Sequence, residues 1–138
     1  VDAAGNVYVA FAAFPACCSE PASIWVTRSL DDGVTWGAFV EVVSGLQTVS
    51  SLPNTTFRDG ILEHFAASPT YPGHLYLVYE GWDGTQMDVR FTQSTDGGLT
   101  WSPPVTVNDN VDAIVSGSGI YGHKDYRAMI AGLKGVDR

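Results

Sequence analysis

Short apolar runs alternate with polar segments containing glycine and proline along the whole chain. Val7-Tyr8-Val9-Ala10-Phe11, Ile24-Trp25-Val26-Thr27 and Phe39-Val40-Glu41-Val42-Val43 are three such runs. Leu75-Tyr76-Leu77-Val78-Tyr79, Val89-Arg90-Phe91-Thr92 and Val105-Thr106-Val107 are three more. Each is short, rich in β-branched and aromatic residues, and bounded by turn formers, which marks strands. Fifteen glycines and seven prolines, spread between the runs, favour many turns over long helices. The pattern predicts an all-β chain.

Two of the polar segments are copies of one another. Ser29-Leu30-Asp31-Asp32-Gly33-Val34-Thr35-Trp36 and Ser94-Thr95-Asp96-Gly97-Gly98-Leu99-Thr100-Trp101 both read Ser-x-Asp-x-Gly-x-Thr-Trp, and their serines lie 65 positions apart. Repetition at that spacing means tandem supersecondary units. Each octet has the chemistry of a tight turn between two strands. Asp31 and Asp96 can accept bonds from backbone N–H groups a few residues on, and Ser29 and Ser94 can add a hydroxyl. Gly33 and Gly98 allow a positive φ. Trp36 and Trp101 bring a large ring back against the hairpin.

The repeat extends beyond the octets. Asp2-Ala3-Ala4-Gly5-Asn6, a turn leading into Val7, has its counterpart in Ser68-Pro69-Thr70-Tyr71-Pro72-Gly73-His74. Tyr8 precedes its octet serine by 21 positions and Tyr76 by 18. That difference falls in the loop holding Cys17 and Cys18, opposite Glu80 to Gln86, and loops absorb such insertions readily. The segment Asp125 to Gly132 parallels Gly60 to Ala67, again 65 positions earlier. The predicted organisation is an incomplete first unit over 1-50, a second over 58-108 and the start of a third over 123-138.

The octets resemble the Asp box, or BNR repeat, of sialidases and related β-propellers. The longer phrase from Ser94 through Trp101-Ser102-Pro103-Pro104-Val105-Thr106-Val107-Asn108 is similar to secreted bacterial propellers of that type. In that family the box joins the third and fourth strands of a blade on the outer rim, so the resemblance makes the octets architectural. It implies four-stranded antiparallel sheets set radially, about two blades of a roughly six-bladed propeller. Two blades alone would leave edges and apolar faces uncovered. The chain is therefore expected to be a piece of a longer polypeptide or one protomer of an assembly, its partners being blades of the same polypeptide or of identical chains. An extracellular, periplasmic or cell-surface location follows from the same resemblance.

Charge narrows the partners. The formal net charge is −8 with only seven Lys plus Arg, so nucleic acid and anionic membranes lack the positive footprint they need. No stretch approaches the ~20 apolar residues of a membrane span. Cys17 and Cys18 are adjacent and are either reduced thiols or a vicinal disulfide stiffening the loop from Phe14 to Pro21, since the chain has no third cysteine. No His or Cys lies at ligand spacing, and Asn108-Asp109-Asn110 with Asp112 does not match a calcium loop, so neither metal nor cofactor is expected.

The sialidase resemblance implies three arginines on a substrate carboxylate, a tyrosine nucleophile assisted by glutamate, and an aspartate acid/base. Arginine suits the first task because its fork pairs bidentately with a carboxylate. A neighbouring glutamate suits the second by taking the phenolic proton. Arg58, followed by Asp59, is the best carboxylate clamp here, although Arg58-Asp59-Gly60 replaces the family's Arg-Ile-Pro string. Glu80, with Asp83 near it, lies in a loop region of the kind that lines an axial pocket. Asp125 and Arg127 flank Tyr126, and adjacent strand residues point to opposite faces, so not all three converge. Three functions fit: glycan binding or recognition by a sialidase-like propeller, exo-sialidase activity with its main catalytic residues elsewhere, or an extracellular scaffold.

Overall fold

β-Branched and aromatic runs become strands where the intervening turn chemistry lets them pair. The computed structural model describes residues 1–16, 21–47 and 63–107, all within one compact unit, Val1–Val107. Strands β1 (Val7–Ala13), β2 (Ala22–Ser29) and β3 (Val40–Leu46) form a three-stranded antiparallel sheet in chain order. Strands β4 (His64–Ala67), β5 (Leu75–Trp82), β6 (Met87–Ser94) and β7 (Val105–Thr106) form a four-stranded one. The described residues contain no helix, so the all-β expectation holds, in two open sheets.

Register shows the two sheets to be copies. Ser29 pairs with Val7 at the start of β1, and Ser94 with Leu75 at the start of β5. Matching the serines makes Val7, Val9, Phe11 and Ala13 the equivalents of Leu75, Leu77, Tyr79 and Gly81. The three extra residues then fall between Ala13 and Ser23, as the spacing predicts. The second octet connects β6 to β7, the third and fourth strands of its sheet.

Side chains alternate across each strand, giving each sheet a front face that carries the octet serine and a back face. The front of the second sheet packs on the back of the first. Ala22 and Ile24 of β2 and Leu46 of β3 bury against Leu77 and Tyr79 of β5, with Val42, Val43, Phe65 and Trp101 around them. The fully buried side chains at this seam include Ile24, Val26, Leu75, Leu77 and Tyr79. At about 1.5–3 kcal/mol each for complete burial, they are the dominant favourable term in holding the sheets together. The contact is front to back, so equivalent surfaces do not meet each other. That is a heterologous contact.

Candidate functional site

The two octets fold into the same turn, held by the same serine, aspartate and threonine bonds. Ser29 Oγ donates to Asp31 Oδ1 at 2.7 Å, and Ser94 Oγ to Asp96 Oδ1 at 2.8 Å. The serine oxygens accept from Gly33 N at 2.8 Å and from Gly98 N at 2.9 Å. Asp31 accepts from Thr35 N and the Thr35 hydroxyl, and Asp96 from the same groups of Thr100. One further bond completes the copy: Thr27 and Thr92 donate their hydroxyls to the carbonyls of Gly37 and Ser102. Gly33 and Gly98 have φ of 90° and 83°, so their positive φ is required and not only permitted.

The aspartates of these turns are held down to about 2, from an ordinary 3.8, chiefly by the threonine hydroxyls that donate to them. A depressed carboxyl contributes stability above its unfolded pKa and loses it as pH falls through the folded one. Acid unfolding is therefore expected to steepen between about pH 4 and pH 2. Asp96→Asn should flatten that window in a series of thermal melts at stepped pH. Parallel profiles for variant and wild type would remove the carboxylates from the account.

Surroundings separate the two turns. Around the first, Trp36 is 44 % exposed. The second lies against the first sheet, where Trp101 packs on the core and its Nε1 donates to Gly98 O at 3.2 Å. Arg28 reaches across from β2 and donates through one terminal nitrogen to the carbonyls of Asp96 and Gly97, each at 3.3 Å. The residue types suggest a solvated arginine or one packed across its own strand; instead it clamps the neighbouring turn.

A second clamp was unforeseen. Asp2 is buried and accepts five bonds: Ala4 N at 2.9 Å, Asn6 N at 3.0 Å, Asn6 Nδ2 at 3.1 Å, Tyr8 Oη at 2.9 Å and Gly73 N at 2.8 Å. Burial opposes its ionisation, but the donors led by Gly73 N–H outweigh it and hold the carboxyl far below the usual range. Gly73 in turn accepts from Gly97 N at 2.9 Å. Asp2, Gly73, Gly97 and Arg28 thus tie the first sheet to the second turn.

Catalytic chemistry is not assembled among the described residues. Arg58, Asp59, Asp125 and Arg127 lie outside them, as do Cys17 and Cys18. Glu80 is not in a loop as expected but within β5, on the back face opposite Val89, because the β5–β6 ladder continues through Trp82 and Met87. Asp83 is occupied by its own turn, accepting from Thr85 N, Thr85 Oγ1 and Gln86 N. Tyr8 and Tyr79 are pushed up, both first by burial, with Asp2 adding to the effect at Tyr8 and Arg90 opposing it at Tyr79. No group of three or more His, Cys, Asp or Glu is placed to hold a metal, and no helix is long and apolar enough to cross a membrane, among the described residues.

What the described residues do offer is surface. Phe11, Ala13, Trp25 and Phe39 line an open apolar concavity on the front of the first sheet. Phe11 and Phe39 meet edge to face at 5.7 Å, and Phe39 is 61 % exposed. No protein-family model matches the chain, and no curated protein does.

Proposed function

We propose that the chain forms consecutive blades of a secreted, sialidase-like Asp-box β-propeller whose work is to bind or recognise glycans. One observation carries the reading. Two equivalent sheets stack front to back, each closed by the same serine–aspartate–threonine turn. Heterologous stacking of equivalent units generates a ring when the rotation closes, and a propeller is the ring architecture built from four-stranded sheets. The position of the second turn, between the third and fourth strands, agrees with the placement of an Asp box. The glycan assignment follows from the resemblance in the octets, since fold alone does not fix activity.

In this reading Asp31 and Asp96 are structural, and recognition belongs to the end opposite the octet turns. There the β1–β2 and β5–β6 connections lie, with Glu80 toward that end of β5; Arg58, Asp59, Asp125 and Arg127, outside the described residues, are the further candidate contacts that the resemblance suggests. Arg58 supplies the fork for a sugar carboxylate.

The test is retention of the 138-residue chain on immobilised glycans that end in sialic acid, against the same glycans without it. Selective retention on the sialylated set is expected, and Arg58→Lys should weaken it at least about tenfold by removing the bidentate fork. Equal retention, or none, overturns the proposal. Steady turnover of a fluorogenic sialoside overturns it in a different way, in favour of an exo-sialidase.

A further inference from the structure

We propose that the Asp32–Gly33 step is a modification site, at which the aspartate cyclises spontaneously to a succinimide and reopens as D-aspartate. The inference goes beyond the glycan reading and does not depend on it. Glycine lacks the side chain that would hinder its amide, so Asp–Gly steps are open to this reaction. The glycine nitrogen bonds to the aspartate Cγ, and the carboxyl OH departs with the amide proton as water. In the cyclic imide the Cα–H is acidic, so its proton leaves and returns on either face. Water then opens the ring. Addition at Cγ restores the ordinary linkage, and addition at the main-chain carbonyl leaves isoaspartate.

The chain contains four such steps. Asp59-Gly60 lies outside the described residues, and the fold guards two of the other three. Asp96 accepts from Ser94 Oγ at 2.8 Å and from Leu99 N and Thr100 N, each at 3.0 Å, while Gly97 N is engaged with Gly73 O at 2.9 Å. Asp83 accepts from Thr85 N at 2.7 Å, Thr85 Oγ1 at 2.8 Å and Gln86 N at 2.9 Å. Hydrogen bonds to a carboxylate are about twice as strong as neutral ones, and cyclisation must break them. Those donors, led by the Thr100 hydroxyl at Asp96 and the Gln86 N–H at Asp83, also hold both carboxyls below the usual range, against the protonation that the step needs. Asp32 is different. Its carboxylate is exposed and accepts no hydrogen bond among the described residues. One neutral bond stands in the way, from Gly33 N to Ser29 Oγ at 2.8 Å.

Backbone geometry selects the product. Asp32 has φ of 56°, where an L-residue brings its Cβ too close to the following carbonyl. A D-residue is the mirror image, and that region is its favoured one. Inversion at Cα therefore relieves the turn and leaves the path of the chain unchanged. Isoaspartate instead lengthens the backbone inside the turn, where Ser29 Oγ must meet Gly33 N and Asp31 must meet Thr35. Over repeated closing and opening of the ring, the folded turn retains D-aspartate.

The test incubates the whole 138-residue chain in warm, near-neutral buffer, with and without urea. Proteolytic peptides are then separated beside synthetic standards that carry L-aspartate, D-aspartate or isoaspartate at positions 32, 83 and 96. In the folded chain, conversion at Asp32 should be at least about tenfold faster than at Asp83 or Asp96. Urea should bring the three rates together, because it removes the bonds that separate them. The share of D-aspartate among the products at position 32 should be at least about threefold higher in the folded chain than in urea. Asp32→Gly keeps the positive φ available and should abolish the converted peptide. A signal that persists in that variant belongs to Asp31 and overturns the proposal. So does conversion at Asp83 or Asp96 that matches Asp32 in the folded chain, or a D-aspartate share that urea does not lower.

Discussion

Asp2→Ala is expected to lower the stability of the chain by about 3–5 kcal/mol, the largest loss from any single truncation proposed for it. Its carboxylate gathers five donors, one of them the Gly73 N–H that lies 71 positions away in sequence. Hydrogen bonds to a charged acceptor are worth about 1.5–3 kcal/mol each, though they do not add. Truncation also strands buried donors, and their desolvation is then uncompensated. Asp2→Asn keeps the volume but turns an N–H group toward donors, so it should cost about 2 kcal/mol or more. Urea unfolding at neutral pH measures both. The pH dependence has a definite sign. The folded carboxyl is depressed, so its contribution is complete above the ordinary range near ~3.9 and shrinks as acid protonates it. The gap between wild type and Asp2→Ala should narrow below about pH 4. A loss under about 1 kcal/mol at neutral pH would mean that the bridge to Gly73 does not hold the sheets together.

What could be read before the structure, and what could not, divides by the range of the interaction. Ser29, Asp31, Gly33 and Thr35 act within one turn, so their spacing encodes their bonds and the second octet repeats them. Strand positions were legible for the same reason, because Val7 to Phe11 and Leu75 to Tyr79 carry their own β preference. Asp2 was legible only as a turn residue. Its distant partner is a backbone N–H, and every residue except proline has one, so no side-chain signature points to Gly73. Arg28 is concealed in the same way, since its acceptors are the carbonyls of Asp96 and Gly97. The exposure of Trp36 against the packing of Trp101 was also beyond a local reading. Octets that share the serine, aspartate, glycine, threonine and tryptophan differ there because one of them meets a neighbouring sheet. Of the candidate site, Asp83 resolved into a turn because its partners, Thr85 and Gln86, are again local.

The same contrast explains one of the three differences between the octets, Asp32 against Gly97, and it yields the second large effect. Asp32 and Gly97 both adopt a positive φ, 56° and 74°. Aspartate tolerates that region better than most residues, and around the first turn it remains exposed. At Gly97 a Cβ would fall on the Arg28 guanidinium, so the side chain there is excluded by the neighbouring sheet. Gly97→Ala should therefore cost about 2–3 kcal/mol: about 1–2 for the left-handed backbone and the rest for displacing Arg28 from its two carbonyls. Gly98→Ala should cost a similar amount, since its Cβ would sit 3.1 Å from Leu75 and 3.4 Å from Val26. Gly33→Ala is the control, because the nearest contact is Trp36 at 3.9 Å and only the backbone cost of about 1–2 kcal/mol applies. A double-mutant cycle isolates the mechanism. In an Arg28→Ala background, Gly97→Ala should fall to the cost of Gly33→Ala, a coupling of about 1 kcal/mol. Additive losses would mean that the glycine serves only its own turn, and that the clamp from β2 plays no part in choosing the residue beneath it.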